Sequence, residues 1–240
     1  MATKQHAGNV LGILGGMGPV ASAEFVRTIY SYHQGPEQGA PVVVLYSDPT
    51  VPDRTEALLR RSDELLLERL VGSLTHLYES GATQIVICCV TSHYLLPRLP
   101  PRLRGKITSL IDTVFAGVLR TEKRHLLMCT QGTRQSRLFE SHPQWEAARD
   151  RVVLARPDDQ QRIHELIYRL KRNDGIDELL PLAGALLAKY QVDSFIVGCT
   201  ELHLVTRHLA RAGDSAKYGY IDPLTMIAES LAQTLTYTAT

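Results

Sequence analysis

The chain of 240 residues has no excess of charge, no long apolar run at its start and few cysteines, and each shortage removes a class of function. Its net charge is +1, which leaves no electrostatic footprint for nucleic acid or an anionic membrane; the cluster Arg102, Arg104 and Lys106 reads as solvated surface. The first nine residues are polar, and glycines interrupt the apolar stretch that follows, so neither a signal peptide nor a spanning helix is expected and the expected location is cytoplasmic. The four cysteines, Cys88, Cys89, Cys129 and Cys199, show no CxxC spacing and are too few for a disulfide framework, so reduced thiols and no metal knuckle are expected. Nucleotide fingerprints are missing as well: Gly15, Gly16 and Gly18 do not form GxGxxG, and no lysine followed by Ser or Thr completes a P-loop.

What is present is an alternation of strand and helix patterns. Residues 10–14 form an apolar run broken by the glycines, and Pro19 opens a helical pattern to about Tyr32. A β-branched run at 41–46 is followed by a polar loop at 47–54. Leu58, Leu59, Leu65, Leu66, Leu70, Leu74 and Leu77 then recur at three- and four-residue spacing, which predicts one or two amphipathic helices over 55–80. Further strands are predicted at 84–88, 107–111, 125–129, 151–154 and 194–197. Helices are predicted up to about Arg120 and at 136–148, 158–170, 176–190 and 223–235. This order implies right-handed βαβ crossovers and mostly parallel sheets in an α/β fold.

The chain also resembles itself. IVICCVTSH and FIVGCTELH, beginning at Ile85 and Phe195, each read as apolar strand, cysteine, polar turn, and histidine four residues after the cysteine; Cys89 and Cys199 are 110 residues apart. The glycine turn after Leu14 and the turn at 130–133 lie at a similar offset. A duplication into two α/β halves accounts for both pairs, with chance similarity of two buried strands as the plain alternative. Ligands of open α/β sheets bind beyond the carboxyl ends of strands, which directs attention to 15–18, 47–55, 89–93, 130–133 and 199–203. The glycines either merely permit a tight turn or let backbone N–H groups approach a small anion. A lone cysteine is usually a small buried hydrophobe. Two at equivalent points of two similar halves are placed to face each other across one cleft, whereas Cys88 and Cys129 read as core.

LGILGGMGPVAS, the PDRT at 52–55, the CxTxH beginning at Cys89 and the GCTEL beginning at Gly198 resemble the signatures of the cofactor-independent aspartate/glutamate racemase superfamily, specifically its aspartate racemase branch. The resemblance spans almost the whole chain. It implies two similar α/β domains, here 1–100 with 212–240 and 101–211, an active site between them, no pyridoxal phosphate or metal, and a homodimer. It further implies that Cys89 and Cys199 exchange the α-proton of an acidic amino acid from opposite faces. By the same resemblance Arg54 holds the side-chain carboxylate, Lys171 is a second cation, and Met17, Val90, Thr91, Thr130, Thr133, Thr200 and Glu201 fall where the family touches its substrate. The family usually has proline before the first cysteine and asparagine after it; here these are Cys88 and Val90, so one polar contact is lost. His93 and His203 are open between catalytic and structural roles. A glutamate or broad-specificity racemase, a dicarboxylate decarboxylase or isomerase on the same fold, and a non-enzymatic carboxylate sensor are the alternatives.

Overall fold

The computed structural model describes residues 9–213 and 218–236; the polar start and the parts of the expected N-terminal unit at 214–217 and 237–240 lie outside them. The first half runs β1 (Val10–Gly15), α1 (Pro19–Tyr32), β2 (Val42–Ser47), α2 (Arg54–Leu59), α3 (Glu64–Glu79) and β3 (Gln84–Ile87). Its sheet is parallel in the order β2-β1-β3. A 3-10 helix (Thr91–Arg98), α4 (Pro101–Arg104) and α5 (Leu110–Val118) lead to the second half. There the order is β4 (His125–Cys129), α6 (Gln131–Gln135), α7 (Trp145–Ala148), β5 (Val152–Leu154), α8 (Pro157–Leu170), α9 (Ile176–Tyr190), β6 (Ser194–Gly198), α10 (Leu202–Ala212), β7 (Gly219–Ile221) and α11 (Pro223–Thr236). The second sheet is parallel in the order β5-β4-β6-β7.

The two sheets repeat one plan, in which the first strand of each half is central and the second and third flank it. The correspondence extends to a fourth position. Ile107 makes a single parallel bridge to Ile85 of β3, where β7 pairs with β6 in the second half. α5 and α11, which follow these two positions, pack on each other. One core gathers the inner faces of both sheets around α1, α5 and α11, including Ile13, Val86, Leu127, Ile196, Phe25 and Phe115. Two further cores cover the outer faces, one beneath α3 and one beneath α8 to α10.

Three sequence expectations need correction. The strand predicted at 107–111 shrinks to the Ile107 bridge, because the Ser109 side chain caps α5 by accepting the Asp112 N–H at 3.1 Å and Leu110 is already helical. Of the helix predicted at 136–148 only its end, α7, is helical; α6 stops at Gln135 before the predicted start, Arg137 adopts φ 51°, and Pro143 supplies no N–H in the segment between. β7 was not predicted. Of the C-terminal segment expected with the N-terminal unit, α11 packs on α1, whereas β7 is the outer strand of the second sheet. Among the described residues no helix is long and apolar enough to cross a membrane.

Candidate active site

Cys89 and Cys199 follow the carboxyl ends of β3 and β6, corresponding strands of the two sheets, and are 6% and 5% exposed. The halves meet between them. Thr200, next to Cys199, donates its hydroxyl to the Cys88 carbonyl at 3.2 Å. Thr91 of the first half lies 3.1 Å from Thr130 and 2.9 Å from Thr133 of the second, and Thr130 and Thr133 are 3.2 Å apart, forming a buried triangle of hydroxyls. Thr130 also caps α6 by accepting the Thr133 N–H. Cys88 and Cys129, at 0% exposure, face the central core, and burial pushes the Cys129 thiol up to about 12.

Glu201 is the closest neighbour of the second thiol: Cys199 Sγ–H donates to Glu201 Oε2 at 2.8 Å, and Glu201 Oε1 is buried without a partner. Burial first, then the Glu201 charge, raises the Cys199 thiol well above its ordinary value, with Lys171 pulling the other way. Gly18 makes room for this carboxylate, since a Cβ there would lie 2.2 Å from Oε1. Gly16 has a different reason to be glycine: its φ is +89°, and a Cβ would strike the Asp48 backbone at 2.3 Å. The glycine turn is therefore shaped by two close approaches.

Arg54, at the start of α2, is only 8% exposed. Its Nη1 donates to the Val51 and Pro52 carbonyls at 3.3 and 3.0 Å, its Nη2 donates to the Met17 carbonyl at 3.0 Å, and its Nε is buried without a partner. Burial works against its charge, but Cys89, Asp53 and Glu201 outweigh this and raise its pKa. Met17 accepts a hydrogen bond at its sulfur from Ser92 at 3.4 Å. Lys171, at the end of α8, reaches Asp53 at 3.7 Å; burial disfavours its charge, and Glu201 and Cys199 restore it, leaving its pKa raised. Val90 is not in this group. Its side chain lies with Cys88 in the central core.

The two histidines at matching positions do different work, both structural. His93 Nε2 accepts the Leu110 N–H at 3.0 Å, which leaves Nδ1 to donate to the Cys89 carbonyl at 2.9 Å. This neutral ring ties the first thiol's turn to the start of α5, and burial lowers its pKa to about 4. His203 Nδ1–H donates to Asp222 at 2.6 Å, and its Nε2 meets Thr28 at 3.0 Å. Asp222 also accepts from the hydroxyls of Thr206 and Thr225 at 2.5 and 2.9 Å and from the Leu224 N–H at 3.1 Å. This buried knot joins α1, α10 and α11 behind Cys199. Asp222 carried no sequence signal, because it stands alone 19 residues from His203.

Two cavities lie elsewhere. One of about 380 Å³ opens at the amino ends of β1 and β3, and a groove of about 550 Å³ runs between α8 and α9; neither is lined by a thiol.

Two α/β halves with parallel sheets thus each carry a buried thiol just past the end of a corresponding strand, with Arg54 close to Cys89 and Lys171 close to Cys199. The chain belongs to the Asp/Glu/Hydantoin racemase family, whose sequence profile matches residues 14–231, and is thereby a racemase-type isomerase. It is 21% identical over 232 residues to the broad specificity amino-acid racemase RacX of Bacillus subtilis (strain 168), covering 94% of this chain and 97% of that one. Its fold is similar to an aspartate racemase of Picrophilus torridus, with a TM-score of 0.77 at 23% identity over 97% of this chain and 94% of that one. A glutamate racemase of Campylobacter jejuni superposes with a TM-score of 0.62 at 16% identity, over 94% and 85% of the two chains.

Proposed function

We propose that the protein interconverts L- and D-aspartate by moving the α-proton between Cys89 and Cys199 without a bound cofactor. The observation that carries this reading is the placement of both thiols at the ends of corresponding strands in two sheets of one plan, facing a shared junction. An unperturbed thiol, pKa about 8.5, is a modest base and an α-proton a very weak acid, so the surroundings must lower the barrier. Near-complete burial excludes water, and the threonine hydroxyls and N-terminal helix amides supply donors for the negative charge that develops on the α-carboxylate. Arg54 Nε–H, which has no partner in the protein, supplies a donor for the distal carboxylate, and Lys171 a second cation. The preference for aspartate over glutamate rests on the GGMGP, PDRT and GCTEL signatures.

By this reading Cys199 is the base for the L-isomer and Cys89 for the D-isomer. Glu201, at 2.8 Å, takes the Cys199 proton before that sulfur acts as base on the L-isomer and then releases it to solvent, because Cys199 now carries the α-proton. In the D-to-L direction the same steps run in reverse, Glu201 reprotonating Cys199 after that sulfur has delivered its proton. Glu201→Gln is expected to lower kcat/KM about 100-fold, within the usual range for a lost acid–base group. The loss must be equal in both directions, because the equilibrium constant of a racemisation is one. The same change should let Cys199 react with iodoacetamide at lower pH, since the negative charge that disfavours its thiolate is gone. Unchanged pH dependence of that alkylation would remove Glu201 from the role.

The substrate assignment is tested by incubating the protein with L-aspartate, L-glutamate and L-alanine and following optical rotation. Aspartate should lose rotation fastest and alanine not at all. Arg54→Lys keeps the charge but loses the Nε–H donor and the hold of the guanidinium on the Val51, Pro52 and Met17 carbonyls, and should weaken aspartate binding by about 1.5–3 kcal/mol. Equal rates on alanine, or unchanged kinetics in Arg54→Lys, would overturn the acidic-substrate reading.

A further inference from the structure

Asp53, which caps α2 immediately before Arg54, is also where α2 is fastened to the second half. Its Oδ1 accepts the Glu56 N–H at 2.9 Å, and Tyr168 of α8 donates its phenolic hydrogen between the two carboxylate oxygens, 2.9 Å from each. Lys171 Nζ lies 3.7 Å from Oδ2 and 4.1 Å over the Tyr168 ring. His164, Tyr168 and Lys171 are spaced four and three residues apart, so one face of α8 carries all three. Within the second half His164 ties α8 to α6 by accepting the Gln131 N–H at 3.3 Å, and its ring lies 4.4 Å from that of Tyr168. The contact thus spans the junction that holds Arg54 on one side and Lys171 on the other, and Lys171 feels the charges of Glu201 and Cys199.

Both thiols are at least 94% buried, so an amino acid reaches them only if the halves part. The α2–α8 contact is suited to this. Asp53 and Lys171 side chains are 29% and 18% exposed, so their attraction is screened and breakable, and the carboxylate that Lys171 holds in the free protein is the same chemical group an acidic substrate would offer it.

We propose that Asp53 and Tyr168 are positioning residues that act through Arg54 and Lys171. Their bond sets the separation of the two cations across the thiol cleft, and its release admits an acidic amino acid whose carboxylate then replaces Asp53 on Lys171. The proposal rests on the racemase reading for its substrate but not for its geometry.

The test is iodoacetamide alkylation of the full chain, read at each cysteine by mass spectrometry, together with steady-state kinetics. Tyr168→Phe keeps the ring beneath Lys171 and removes only the hydroxyl; Asp53→Asn keeps a good helix cap and removes the charge. In both variants Cys89 and Cys199 should alkylate about fivefold faster, the size of one partly exposed hydrogen bond to a carboxylate, while the fully buried Cys88 and Cys129 stay unreactive. KM for aspartate should fall by a similar factor, with kcat changed by less than about twofold, because the variants remove a contact that substrate must otherwise break before it binds. Equal alkylation in wild type and both variants would overturn the proposal. So would simultaneous reaction of all four thiols, which would make the bond a general prop of the fold. The alkylation pattern does not need turnover, so selective opening in a protein that racemises nothing would retain the positioning role and refute the racemase reading instead.

Discussion

Replacing either Cys89 or Cys199 by Ala is expected to abolish the interconversion of aspartate enantiomers, a loss of at least about 1000-fold in kcat/KM. On the proposed two-thiol reading each enantiomer presents its α-hydrogen to a different sulfur, and the opposite sulfur must already carry a proton, so neither thiol would suffice alone. The surviving thiol still reaches one enantiomer and should exchange that α-hydrogen with solvent deuterium: Cys89→Ala should label L-aspartate and Cys199→Ala D-aspartate. Cys88→Ala and Cys129→Ala are the controls. Both sit at 0% exposure in the central core, so their loss should cost stability by about 1 kcal/mol and leave the chemistry intact. A folded Cys89→Ala or Cys199→Ala protein that racemises at the wild-type rate, followed by polarimetry, would exclude the thiol pair.

Asp222→Ala should cause the largest loss of stability. Removing this buried carboxylate costs about 3–5 kcal/mol, because it strands the buried donors of His203, Thr206 and Thr225 that it accepts from, at about 1–3 kcal/mol for each group left unsatisfied. For a chain of this size the melting temperature should fall on the order of 10 °C. The Asp222 carboxyl is held down at about 2: burial alone would raise it, but His203 and the donated hydrogen bonds outweigh that. Its folded value is therefore depressed, so its contribution is complete above about pH 4 and is lost as the pH falls toward 2. Linkage puts that contribution on the order of 2 kcal/mol. Thermal unfolding of wild type and variant across this window checks it; an acid limb of equal steepness in Asp222→Ala would show that the carboxylate does not carry it.

The parts of the fold legible in sequence were those with long periodic patterns. The strands at β1, β3, β4 and β6 are continuous buried runs, and α8 and α9 have clear helical spacing. β7 escaped because three residues carry no period. The region around Ile107 misled because Ile107, Thr108 and Ile111 are β-branched, while Leu110, Ile111, Val114, Phe115 and Val118 repeat at helical spacing from a Ser109 cap.

The candidate site shows the same division. Strand ends and internal similarity singled out Cys89 and Cys199; the structure brings Arg54 toward Cys89 and Lys171 and Glu201 toward Cys199, and joins Thr91 to Thr130 and Thr133 across the two halves. The histidines could not be resolved from spacing, since His93 and His203 stand four residues after their cysteines alike. Only tertiary partners, a backbone amide for one and Asp222 for the other, separate them. Tyr168 did carry a usable signal, lying three residues before Lys171 on the same face of a helix, but nothing in the chain points from there to Asp53, 115 positions away.

The most direct test of the two-thiol account is the fate of the α-hydrogen when L-aspartate is converted in deuterium oxide, followed by proton NMR and circular dichroism together. Two opposed thiols predict that the D-aspartate formed carries deuterium from its first appearance, while the remaining L-aspartate keeps its protium early in the reaction. No carbon dioxide should be released. Product that retains the original hydrogen would contradict the account, since it requires one base returning the proton it removed, and so would loss of a carboxyl group.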